Sequence, residues 1–81
     1  MKKMTASEVY EQSVIDNVDY FVAYQFLGRG NKVNGDKFKD KADAVAQACE
    51  LAAKNMKAAL VYAVDGLGRQ AQIFIVQSRG L

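Results

Sequence analysis

The stretch ALVYAVDGLGRQAQIFIV, residues 59–76, decides the fold. Asp65-Gly66, with Leu67 and Gly68 behind it, separates two apolar runs, Ala59 to Val64 and Ala71 to Val76. Asp-Gly between such runs is a strong hairpin signal, and the second glycine asks for a longer loop or a bulge. In both runs, odd and even positions alike carry apolar side chains, whereas a half-exposed strand alternates them with polar ones. A third run, Tyr20 to Leu27, has the same two-sided character. These strands ask for cover on both faces of their sheet.

Immediately upstream of the hairpin lies a helix. Asp40 suits the N-cap, and Ala42, Val45, Ala46, Cys49, Ala53 and Met56 recur at helical spacing on one stripe, with Gln47, Glu50 and Lys54 away from it. The spacing predicts a helix over Lys41 to Lys54 that packs this stripe on the sheet, with Cys49 as a small core residue and Leu51 exposed opposite. Asn55 is the expected stop, because asparagine tolerates the left-handed cap conformation.

Between the first strand and this helix runs a long connection. Gly28-Arg29-Gly30 reads as a flexible turn, and Asn34-Gly35 as a tight turn or minor hairpin with Val33 and Phe38 on its arms. At the N-terminus, Thr5 with Glu8 has the capping-box spacing, and Val9 or Tyr10, Val14 and Val18 line one side of a short helix that Asp16-Asn17 would end. An extended arm is the competing reading of residues 1–19. The expected architecture is α+β: a single small domain, 1–81, with a short N-terminal helix and then a β-α-β-β core over 20–81. Its sheet is three-stranded and mainly antiparallel, packed on one amphipathic helix.

Composition narrows the function classes. With 81 residues, about half of them apolar and a quarter charged, the chain has the make-up of an ordinary folded domain. The net charge of +2 names no partner, but its distribution is uneven. Glu8, Glu11, Asp16 and Asp19 precede the first strand, while Arg29, Lys32, Lys37, Lys39 and Lys41 follow it, diluted by Asp36 and Asp40. One cysteine makes no internal disulfide, no apolar run has the length of a membrane span, and Lys2-Lys3 is not followed by a hydrophobic signal core. A cytoplasmic protein is the expectation.

The chain contains no histidine, which removes Ser-His and Cys-His nucleophile pairs and most transition-metal sites, and Cys49 alone cannot hold structural zinc. The Gly28-Arg29-Gly30 turn fails as a dinucleotide-binding loop, because Val33 stands where the third glycine belongs and the helix starts too late to present its amides. The carboxylates have ordinary structural positions: Asp40 and Asp43 in the first helical turn, Asp65 in the hairpin turn. No catalytic residue, cofactor or metal ligand is assigned.

Two binding readings remain. In one, Arg29, Lys32, Lys37, Lys39 and Lys41 contact phosphates while Tyr20, Phe21, Tyr24, Phe38 or Tyr62 stack on bases. In the other, a protein occupies the second sheet face, on a row such as Tyr20, Val22, Tyr24 and Phe26, or Phe21, Ala23 and Leu27, joined by Leu60, Tyr62 and Val64 and by Phe74 and Val76. A twin subunit in a homodimer or the N-terminal helix would serve as cover equally well.

The order of strand, basic glycine-bearing loop, Ala-rich helix and hairpin, carried by Ala42 to Ala53, Leu60 to Val64, Asp65-Gly66 and Ile73 to Val76, resembles several small phage-encoded anti-CRISPR inhibitors. It is also similar to short uncharacterised bacterial domains with Tyr20-Phe21-Val22 in a strand and Phe38 before an Ala-rich helix. The first resemblance implies a non-enzymatic inhibitor that occupies a CRISPR effector complex and blocks target DNA binding. The expected partner-binding residues are Arg29, Lys32, Lys37, Lys39, Lys41, Tyr20, Tyr24 and Leu51. The expected partner is a protein or ribonucleoprotein, with direct nucleic-acid binding through the loop 29–41 as the alternative and a small enzyme as a distant one.

Overall fold

A computed structural model of the chain describes residues 4–77. The element order is α1 (Ala6–Asp16), β1 (Val18–Gly28), β2 (Asn31–Phe38), α2 (Lys41–Asn55), β3 (Ala59–Asp65) and β4 (Gln70–Val76). The α+β class and both helices are as expected, but the sheet has four antiparallel strands in the order β2-β1-β3-β4, not three.

The additional strand, β2, is the segment read as a long connection. Its hairpin with β1 turns at Arg29-Gly30, where both residues have positive φ (54° and 77°), the geometry that matches the natural twist of two paired strands. Asn34-Gly35 is therefore not a turn. It lies within β2, at a bulge opposite β1. A side chain at position 35 would meet the carbonyl oxygen of Ala23 at 2.8 Å and the Gln47 amide oxygen, so glycine lets the edge strand come in close. Gln47 of α2 fastens the bulge by accepting from the Asp36 backbone N–H (2.8 Å) and donating to its carboxylate (3.0 Å).

β2 and β3 both run antiparallel to β1, so they are parallel to each other with β1 between them. The connection from β2 to β3 must cross over β1, and α2 is that crossover. It buries Ala44, Ala48 and Ala52 against Ala23, Ala59 and Val61, with Phe21, Phe38, Val45, Leu51, Ile73 and Val76 around them. Of the expected stripe, Val45 alone packs against the core. Ala42, Ala46, Cys49, Ala53 and Met56 are exposed, and Leu51 is half-buried against the core.

At the helix end, Asn55 is still helical and Met56 takes the left-handed conformation (φ 55°, ψ 40°). The Asn55 side chain donates to the Gln25 amide oxygen (2.6 Å), and Gln25 donates to the carbonyls of Leu51 and Lys57, each at 2.9 Å. Gln25, fully buried in β1, thus ties the last turn of α2 and the chain that leaves it to the sheet. Asp40 does stand at the N-cap, without a side-chain cap hydrogen bond.

α1 forms with the expected capping box, Thr5 Oγ1 accepting from the Glu8 N–H (3.2 Å) and Glu8 accepting from the Thr5 N–H (3.1 Å). Its buried Val14 packs on Ala63 and Ala71, with Val18, Phe21 and Ile73 around it. Phe21 and Ile73 border both clusters, so α1 and α2 lie side by side on one face of the sheet. The possibility that the N-terminal helix covers the second face is thereby removed. No helix among the described residues is long and apolar enough to cross a membrane.

Candidate functional site

Because strand residues alternate between faces, the register identifies what the helix-free face carries. β1 presents Tyr20, Val22, Tyr24 and Phe26. Opposite them, β2 presents Lys37, Asn34 and Lys32, and β3 presents Val64, Tyr62 and Leu60. β4 adds Gln70, Gln72 and Ile75. Ile73 is the extra residue of a bulge, which turns Phe74 and Val76 toward the helices and takes them out of the expected row. Phe21 and Phe38, paired with each other, also lie on the helix side and are unavailable for stacking there.

The valines of the open face are covered within the face itself. Val22 and Val64 are buried, standing opposite Tyr62 and Tyr20 respectively. Solvent therefore meets rings: Tyr20, Tyr24 and Tyr62 are half-buried, and Phe26 is 54% exposed. Tyr24 and Tyr62 meet edge to face, 5.2 Å between centroids. The Gln70 amide reaches 3.5 Å from the Tyr24 hydroxyl, across β3.

Two lysines lie on these rings. Lys32 Nζ is 4.3 Å from the centroid of Tyr24 and 6.0 Å from that of Phe26, and Lys37 Nζ is 4.9 Å from that of Tyr20. Exposed cation–π contacts contribute about 0.5–1 kcal/mol each, so both ammonium groups can be drawn away by a stronger partner. A shallow depression lined by Asp19, Tyr20, Lys37, Phe38 and Lys39 lies at the β1–β2 margin of this face.

The nine side-chain carboxylates are sorted to the other side or to the rim. Glu8, Glu11 and Asp16 belong to α1, and Asp40, Asp43 and Glu50 to the start and body of α2. Asp36 is bonded to Gln47, and Asp65 is buried in the β3–β4 turn. Asp19 occupies the bulge at the start of β1, where the Lys39 ammonium lies 3.5 Å from its carboxylate. Both side chains of that pair are well exposed, so the pair contributes little to stability. The rows of the open face itself hold two lysines and no carboxylate.

Of the expected contact residues, Lys32, Lys37, Tyr20 and Tyr24 come together on this face, with Arg29 in the β1–β2 turn and Lys39 at the rim. Lys41 lies elsewhere, at the start of α2 with its ammonium over Phe74 (5.7 Å), and Leu51 packs into the helix-side core. Asn34 was read as part of a turn, and Gln70 and Gln72 were not singled out in the sequence. The place of Asn34 among the rings depends on the existence of β2, which leaves no local signal, and that of the two glutamines on the register of β4 against β3.

Comparison with known proteins finds no matching family model, curated protein or solved structure.

Proposed function

We propose that the chain is a non-catalytic binding domain for a polyanionic macromolecule, and that the helix-free face of the sheet is its contact surface. The observation that supports this most is the sorting of carboxylates across the sheet: one face carries two lysines, Lys32 and Lys37, and the rings of Tyr20, Tyr24, Phe26 and Tyr62, while the carboxylates lie on the helices, in a turn or at the rim and α2 carries Lys41 and Lys54 beside its own. A surface of one charge sign raises the local concentration of oppositely charged partners and speeds their encounter.

Retention on immobilised heparin tests the reading. The Lys32→Glu/Lys37→Glu variant is expected to elute at clearly lower salt than the parent, and the charge-matched Lys54→Glu/Lys57→Glu variant, at exposed positions on and just after α2, close to it. Equal losses from both variants would mean that net charge alone governs binding and would remove this face from the proposal.

The resemblance to anti-CRISPR inhibitors supplies a narrower version, in which the polyanion is the nucleic acid of a CRISPR effector complex. A pull-down that recovers no such complex, with interference intact, would sink that version alone.

A further inference from the structure

We infer that the occupant of the open face is single-stranded nucleic acid, bound by stacking bases on Tyr24, Phe26 and Tyr20 while Lys32 and Lys37 move from the rings to the phosphates. The inference rests on the proposed use of this face and adds the chemical class of its ligand.

Charge alone admits any polyanion; the rings and amides restrict it. Tyr24 and Phe26 occupy alternate positions of β1, about 7 Å apart at the usual rise of a strand, and Tyr20 lies about 14 Å from Tyr24, beyond the buried Val22. An extended single strand can span these spacings by stacking adjacent nucleotides on Tyr24 and Phe26 and the next but one on Tyr20. Stacking on an aromatic side chain is a stronger contact than an exposed lysine makes with the same ring, so a base displaces the ammonium and leaves it free to pair with the adjoining phosphate. Asn34, Gln70 and Gln72 add amide donors and acceptors that can meet base edges. In a duplex the base faces are hidden in the stack, so the rings of this face have nothing to stack on.

The acidic residues orient the track. Glu11 lines a groove at the β4 margin together with Tyr10, Tyr62, Gln70 and Gln72, so a phosphate backbone is repelled from that side. Arg29 and Lys39 lie toward the β2 side. The strand is therefore expected to run along β1, with its phosphates over β2.

A second copy of the chain fits this face poorly. A twofold dimer built on it would bring Lys32 and Lys37 of each copy into an interface whose rows hold no carboxylate, while Asp19 at the rim is already engaged by Lys39.

The chain reports on its own site, because it has no tryptophan and three of its four tyrosines lie on this face. Addition of an oligothymidylate or oligouridylate at low ionic strength is expected to quench tyrosine emission saturably. Phe26→Ala, which removes an exposed ring, and Tyr24→Ala should each weaken binding by roughly fivefold to a hundredfold. Lys32→Gln and Lys37→Gln should each lower the slope of log affinity against log salt by about 0.7.

Binding of the same sequence in duplex form as tightly as the single strand would overturn the inference, as would undiminished affinity in the two ring variants. Ring-dependent binding of polyglutamate with none of either oligonucleotide would overturn it in favour of an acidic protein segment. If retention on heparin still depends on Lys32 and Lys37 while no oligonucleotide binds, the inference falls and the wider reading stands; loss of both removes both.

Discussion

Gln25 is the largest side chain that is fully buried, and each of its amide atoms has a partner on another element. Replacing it with leucine would fill similar volume but remove three hydrogen bonds and leave the Lys57 carbonyl and the part-buried Asn55 amide stranded without this partner. We expect Gln25→Leu to lower unfolding free energy by about 2–4 kcal/mol, since each stranded group costs about 1–3 kcal/mol and some relax to solvent. The check is a urea midpoint that falls at unchanged slope. Among the described residues, Asp65 is the other buried polar one. Burial alone pushes its carboxyl up, but hydrogen bonds from the Arg69 backbone, the Arg69 guanidinium and the Leu67 backbone outweigh it and hold it below the usual carboxylate range. A depressed folded-state value stabilises the protein above the unfolded value of about 3.9, and that contribution is lost as pH falls through the folded value. Acid titration of the denaturation midpoint should show this loss below about pH 4, and Asp65→Asn should flatten it. Asp65 was legible as a turn residue from Asp-Gly; its burial was not, because the Arg69 that encloses it also reaches Ser13 and Tyr10 of α1. Gln25 stood within an apolar run and gave no warning, since its partners are a helix end distant in sequence.

At the scale of elements, α2 is set close to the sheet by three alanines one turn apart, facing Ala23, Ala59 and Val61. Enlarging the middle one, Ala48→Leu, has no space to occupy, and overpacking of this kind costs about 1–3 kcal/mol or more. Thermal unfolding should report that loss, whereas Ala46→Leu, on the exposed side, should leave the midpoint nearly unchanged. The existence of this helix was readable, but its buried face was not. Alanine occurs at 42, 44, 46, 48, 52 and 53, so small apolar residues fall on every side and spacing alone selects none. The selection is made by Gln47 on β2 and by Gln25 and Asn55 at the helix end, contacts that periodicity does not contain. β2 escaped for a related reason. An edge strand rich in lysine, aspartate and asparagine resembles a loop in composition, and such charge is how exposed edges avoid pairing with other chains. The hairpin of β3 and β4 and the capping box of α1 were legible because their signals are local.

Over the whole molecule, the core is built of small side chains while larger apolar ones remain outside. Among the described residues, no leucine, isoleucine or phenylalanine is fully buried, and Phe26, Phe74 and Ile75 are each more than 40% exposed. The question posed by the two-sided strands, what covers the second face, has a divided answer. Tyrosines shield Val22 and Val64, and the rings themselves face water. From its charge we expect that face not to self-associate. Light scattering should give the mass of one chain, and Tyr24→Glu should leave it unchanged; a dimer that this substitution dissociates would contradict the expectation. Half of the candidate site was visible in sequence as lysines and tyrosines, but their convergence was not, because it depends on the register of β2 against β1. That register also bears on how the chain folds. The β1–β2 and β3–β4 hairpins each close over a short turn, but the seam that pairs Tyr24 with Leu60 and Val18 with Asp65 lies across all of β2 and α2. Two locally formed halves must therefore meet along β1 and β3 before either is secure, and closing that long loop sets the pace of folding.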